Sequence, residues 1–197
     1  CSSDLVTAKL LHNVIGDRLD CVMIDNGLLR KNEVEDVKKM FYDIDIPITV
    51  LDRQKEFLNA LSKITDPEEK RKVVGSEFIK VFKTYILKNY NKQKIFLGQG
   101  TIYPDVIESK NIKSHHNVGG LPKDMNLPLI EPIKYLFKNE VRDIAIELRL
   151  NSEVFLRHPF PGPGFAIRVI GEITKEKLDI LREADYIYTS ILKREGI

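Results

Sequence analysis

The stretch from Leu19 to Asp25 reads LDCVMID, a short and nearly continuous apolar run. Such a run marks a strand buried on both faces, because a half-exposed strand alternates apolar with polar residues. Ile46 to Asp52 (IPITVLD) repeats it with Pro47 near its start, Lys94 to Gly100 (KIFLGQG) is a third, and Leu127 to Pro132 (LPLIEP) a weaker fourth. Between these runs the apolar period becomes that of a helix. Leu5, Ala8, Leu11 and Ile15 share one face and stop at Gly16, and Glu33 to Phe41 is amphipathic. Pro67 opens a long helix that should reach Tyr90, packing Val74, Phe78, Val81, Phe82 and Tyr85, and a further helix covers Lys138 to Leu148. Strands alternating with helices through short loops predict an α/β fold, a doubly wound parallel sheet covered on both faces.

In sheets of that kind ligands bind beyond the carboxyl ends of the strands. The segments to watch are Asp25-Asn26-Gly27, Asp52-Arg53 and Gly98-Gln99-Gly100-Thr101. Asp25, Gly100 and the start of the Leu5 helix are expected to meet at one crevice.

Composition narrows the function classes. Lysine and arginine outnumber aspartate and glutamate by 31 to 29, a net charge of +2, so no global basic field points to nucleic acid or a membrane surface. No apolar run approaches the ~18 residues of a spanning helix, and no secretory signal is visible. Of the two cysteines, Cys21 lies in an apolar run and reads as a reduced core residue, which fits a cytoplasmic protein. The first residue is Cys1 rather than methionine, and the reading expects a cut start.

Punctuation changes at RHPFPGPGFAIRVIGE, Arg157 to Glu172, where three prolines and two glycines alternate over Pro159 to Gly164. That is too rigid and too poor in donors for a helix or central strand. Residues 1–158 are therefore read as one domain. Residues 159–197 are a connector and the opening of a second domain, with a strand at FAIRVIGEI and a helix from Lys175 to Arg194. This part is expected to pack as a separate small element.

Several residues carry chemistry or its bland counterpart. Asp105 and Glu108 follow the third strand three residues apart, on one face if a helix starts at Pro104. They suit Mg²⁺ shared with phosphates, or simply complement a helix dipole. Lys113, His115, His116 and the Gly119-Gly120 pair can form a lid over an anion, or an exposed loop. The run TDPEEKRK, Thr65 to Lys72, is a solvated face unless Arg71 or Lys72 turns toward the strand ends. Arg168 is a second anion ligand or a surface arginine. Ser2, Ser3 and Asp4 precede a helix, either as caps or as the small residues that let a phosphate meet its N-terminus. No Ser-His-Asp elbow, zinc spacing or dinucleotide fingerprint is present.

The motifs DNGLLRKNE, TDPEEKRKVVG, QGTIYPDVIES, KSHHNVGGLP and RHPFPGPGFAIRVIGE, in this order, resemble the synthetase part of the GMP synthetase family over nearly all 197 residues. The resemblance implies an ATP pyrophosphatase domain with an adenine nucleotide alpha-hydrolase-like, Rossmann-like fold. It also implies ATP-dependent adenylylation of xanthosine 5′-monophosphate (XMP), then amination to GMP with release of AMP and pyrophosphate. Ammonia would come from a glutamine amidotransferase domain or subunit, and a homodimer would form through the C-terminal region. Asp105 and Glu108 would hold magnesium or organise the reacting groups, and Lys113, His115 and His116 would close on the phosphates. Ser3, Asp4, Asp25, Asn26, Gly27, Gly100 and Thr101 would bind ATP and pyrophosphate, with Asp25, Asn26 and Gly27 lining the adenosine pocket. Arg71 and Arg168 are candidates for the substrate phosphate.

The chain departs from the family pattern at its phosphate loop, Ser-Gly-Gly-Val-Asp-Ser. CSSDLVTAKLLH keeps Ser3 and Asp4 without the two glycines, and the reading expects residues missing at the joint between Asp4 and Leu5. The approach to the lid, Lys110 to Lys113, is also short. The chain is expected to be a fragment, inactive by itself. Other readings are a second ATP-pyrophosphatase ligase, such as NAD synthetase or a tRNA-thiolating enzyme, and a catalytically silent nucleotide-binding module.

Overall fold

The computed structural model describes residues 2–90, 94–111, 127–151 and 160–196, with no side-chain description for 108–111. In chain order the elements are α1 (Ser2–Ile15), a 3₁₀ turn (Gly16–Arg18), β1 (Cys21–Asp25), α2 (Glu33–Tyr42), β2 (Ile48–Asp52), α3 (Gln54–Ala60) and α4 (Pro67–Asn89). There follow β3 (Leu97–Gly98), α5 (Tyr103–Asn111), β4 (Leu129–Ile130), α6 (Lys138–Glu147), a second 3₁₀ turn (Gly164–Ile167) and α7 (Lys175–Arg194). The α/β alternation is therefore as expected. The sheet is not drawn as one: among the described residues β1 pairs with β2, and β3 pairs with β4 in parallel with Leu97 opposite Leu129.

Local chemistry explains the helix ends. α1 stops where Gly16 takes a φ of +57°, which costs glycine nothing. α4 starts with Asp66 accepting from the Glu69 amide at 2.8 Å, and Pro67 fills the first position, where its missing N–H is no loss. Glu140 reaches back to the Phe137 amide at 2.6 Å to open α6, and Thr174 caps α7 through the Lys177 amide at 3.3 Å.

The chain divides into two compact units. The first comprises Cys1–Cys21, Lys39–Thr49 and Phe82–Arg157. Its core holds Leu5, Val6 and Ala8 of α1, Ile44, Ile46, Ile133, and Val141 and Ala145 of α6. Lys9 donates to the Ile44 carbonyl at 3.1 Å, and the hydroxyls of Tyr85 and Tyr90 both donate to Asp20, Tyr85 at 2.7 Å.

The second unit comprises Val22–Lys38, Val50–Val81 and His158–Ile197. Leu28, Phe57, Leu61, Val74, Val81, Phe165, Ala166, Val169 and Leu178 form its core. The residues after Gly164 thus share a core with Leu28 and α4, where the sequence reading set them apart as a small element of their own. FAIRVIGEI is likewise no strand. Gly164 at φ +61° and the Phe165 amide, which donates to Leu28 O at 2.8 Å, bend its start into a 3₁₀ turn. β1 is half-buried along its length rather than covered on both faces. α3, which the periodicity did not single out, follows β2 directly.

Candidate functional site

In the first unit, the chain leaving β3 runs onto the first turn of α1. A Cβ on Gly100 would lie 2.5 Å from Asp4 Oδ1, 2.8 Å from the Asp4 nitrogen and 2.9 Å from the Ser3 carbonyl carbon. Only glycine allows this approach, since two of those atoms are backbone. Ser3 and Asp4 lie inside α1 rather than before it as caps, because the helix already runs from Ser2; Ser3 is buried and Asp4 exposed. The N-terminus of a helix is a position that favours an anion. Next to Gly100, Thr101 is buried and its side chain hydrogen-bonds the Glu131 carboxylate. Burial pushes that carboxyl up, but Lys134, at 2.6 Å, and Thr101 outweigh it and hold it below its ordinary value.

Asp105 occupies the first turn of α5, half-buried, and its Oδ2 accepts from the Ile102 amide at 3.0 Å. That bond closes the start of the helix, where the carboxylate also faces the positive end of the helix dipole. Glu108 stands three residues on in the same helix. Among the described residues no cluster of three or more histidine, cysteine, aspartate or glutamate side chains could hold a metal ion.

In the second unit, the turn leaving β1 is built by a carboxylate and a carboxamide side chain in succession. Asp25 Oδ1 accepts from the Gly27 amide at 2.9 Å, and Asn26 Oδ1 accepts from the Leu28 amide at 2.9 Å. Gln54 Nε2 donates to Asp25 Oδ2 at 2.9 Å, so α3 fixes the other carboxylate oxygen. Asn26 is fully buried and its Nδ2 has no hydrogen-bond partner in the structure. An unmet buried donor carries a penalty of about 1–3 kcal/mol that an acceptor on a ligand would relieve.

No protein-family model matches the chain. Among curated proteins it is 52% identical over 200 residues to the glutamine-hydrolysing GMP synthase of Ehrlichia ruminantium (strain Gardel), covering 96% of this chain. The GMP synthase of Carboxydothermus hydrogenoformans is 52% identical over 197 residues, and that of Natranaerobius thermophilus 54% over 198. The family resemblance carried by the motifs is borne out. The chain spans 38% of the length of each of these GMP synthases.

Of the other candidates, Lys113, His115 and His116 lie outside the described residues. Arg71 pairs with Glu68 one turn back at 3.1 Å. Arg168 is no idle surface arginine: it donates to Asp185 at 2.9 Å and lies 5.3 Å from the Phe160 ring centre. Nor is the TDPEEKRK run wholly solvated. Lys70 is fully buried and donates to the carbonyls of Val169 at 2.7 Å and Gly171 at 2.6 Å. Gln54, Lys70 and Arg182 went unnoticed in the sequence, because each acts on a partner far along the chain.

Proposed function

We propose that this chain is the ATP-using synthetase part of a GMP synthase, a ligase of purine nucleotide biosynthesis working in the cytoplasm. It adenylylates O2 of XMP and releases pyrophosphate; ammonia then displaces AMP to give GMP. The observation that carries this reading is identity of 52–54% to GMP synthases over 96–98% of the chain. Ammonia comes from glutamine through an amidotransferase domain or subunit.

Each unit carries its own groups suited to a nucleotide. In the first, the Gly100 cradle over the first turn of α1, with Ser3 and Asp4, supports pyrophosphate binding, and Thr101 is held in place by Glu131. In the second, the unmet amide of Asn26 supports recognition of an adenosine acceptor, with Asp25 and Gly27 shaping the turn. Magnesium fits a site of one or two carboxylates completed by phosphate oxygens. Asp105 and Glu108 would hold it, and it would supply positive charge beside the transferring phosphoryl group. Lys113, His115 and His116 supply cations that can clamp the phosphates and keep water from the adenylated intermediate. Arg71 and Arg168, each already paired with a carboxylate, are secondary contacts for the XMP phosphate.

A homodimer forms through the C-terminal region. Exposed Ile180, Ile187, Tyr188 and Ile191 on α7 support a covered face there. Across the described residues no helix is long and apolar enough to cross a membrane. The test is XMP-dependent exchange of labelled pyrophosphate into ATP by the full-length protein, followed by GMP formation with ammonium. Exchange that ignores XMP, or none at all, overturns the reading.

A further inference from the structure

The turn after β1 is held from its far side by the segment after the proline-rich connector, residue after residue. Arg182 Nη2 donates to the Gly27 carbonyl, and its Nε donates to the Leu29 carbonyl at 3.2 Å. Between them the Leu28 carbonyl accepts from the Phe165 amide at 2.8 Å. Arg30 pairs with Asp185 at 3.0 Å, and Lys31 with Glu183 at 2.7 Å. Every residue from Gly27 to Lys31 therefore has a partner between Phe165 and Asp185.

The arrangement is specific. Carbonyls in a turn have no ladder partner and must be satisfied from elsewhere. A guanidinium is a rigid planar fork, and its charge strengthens hydrogen bonds to carbonyl oxygen, so two carbonyls two residues apart are held at a set spacing. The fork is itself aimed by Asp179, which accepts from Nη1 at 3.0 Å. Gly27 needs a φ of +73°, a conformation that a loose turn leaves readily. Inside the turn, the amides of Gly27 and Leu28 face Asp25 and Asn26; outside it, the carbonyls face Arg182 and Phe165.

We infer that Arg182 is a positioning residue for nucleotide binding: it holds the Asp25–Lys31 turn in its binding shape from α7. The inference rests on the proposed ATP role of Asp25, Asn26 and Gly27. It makes α7 a support of the turn, so a change in the C-terminal segment would be felt as a change in ATP affinity.

Arg182→Gln and Arg182→Lys in the full-length protein test this, with Val81→Ala as a variant that loosens the same core away from the turn. Arg182→Gln is expected to raise KM for ATP on the order of tenfold while kcat changes less than threefold, the mark of lost binding shape. Arg182→Lys, which keeps the charge and one donor direction, should recover part of that loss. Val81→Ala should lower the melting temperature with KM for ATP unchanged. Hydrogen exchange of the Gly27 and Leu28 amides is read in the same proteins and needs no turnover. It should quicken in Arg182→Gln and not in Val81→Ala. If the wild-type protein turns over no ATP, the proposed function fails while quickened exchange still upholds the clamp. Unchanged exchange in a folded Arg182→Gln, or an ATP KM within twofold of wild type, overturns it.

Discussion

Two glycines bring backbone onto backbone in the two units, and they do so under different regimes. Gly100 lies against the first turn of α1, where the atoms nearest a Cβ would be Asp4 Oδ1, the Asp4 nitrogen and the Ser3 carbonyl carbon. Gly164 lies against the Leu28 carbonyl in a neighbourhood crowded with charge: Arg30, Arg168, Arg182 and Asp185 all bear on the same few residues. The first contact depends on there being no Cβ. The second depends on that and also on a set of partly buried ions, so it should respond more strongly to charge removal than the first.

The largest effect should come where both demands fall together. In Gly164→Ala the new methyl meets Leu28 O while the residue must keep φ at +61°. Left-handed strain and overpacking together cost about 3 kcal/mol. Gly100→Ala has the clash without a required positive φ, and is expected to lose about 2 kcal/mol. Urea unfolding of both variants measures the difference. If Gly100→Ala is the more damaging, the comparison is inverted, and the α1 contact is the stiffer of the two.

Charge removal separates the regimes further. Asp185 holds Arg30 at 3.0 Å and Arg168 at 2.9 Å with its own side chain 8% exposed, while Arg168 is 37% exposed. Removing one partner of a fully buried pair costs about 3–5 kcal/mol, and solvent at Arg168 reduces that, so Asp185→Asn should lose about 1.5 kcal/mol. Asp4→Asn, at an exposed position beside Gly100, should move the same denaturation by less than about 0.5 kcal/mol. Equal losses would mean that charge does no more in the second unit than in the first.

How much of this was legible in the sequence follows from the range of each interaction. Helices such as Lys175–Arg194 and Pro67–Asn89 were readable because their period, caps and prolines are local. The apolar strand runs were readable as strands but overlong: KIFLGQG yields only Leu97–Gly98, since a strand ends where its partner does. The Asp25-Asn26-Gly27 turn was legible from its residue types. Its outer support was not, because Arg182 meets it across more than 150 residues of chain. Lys70 was hidden for a similar reason. In a run as charged as TDPEEKRK, no local signal says which lysine turns inward.

The smallest expected effect is also the one that distinguishes the units by sign. Burial, with the nearby Lys177 charge, pulls the Lys70 ammonium below its ordinary 10.5, and Asp66 only partly opposes this. Between the folded and unfolded values the unfolded chain holds the extra proton, so this group makes stability rise with pH in the window just below 10.5. In the first unit burial, reinforced by Asp20, pushes Tyr85 and Tyr90 up from 10.0. There the folded chain holds the extra proton above 10.0, and stability falls as pH rises past that point. Lys70→Met should therefore flatten the rise in the window just below 10.5, by less than about 1 kcal/mol. Tyr90→Phe should leave that range alone and soften the fall at higher pH. Denaturation curves across the alkaline range decide it: identical slopes for wild type and Lys70→Met would mean that the buried ammonium keeps its ordinary affinity for the proton, and that its two carbonyl partners offset its burial in full.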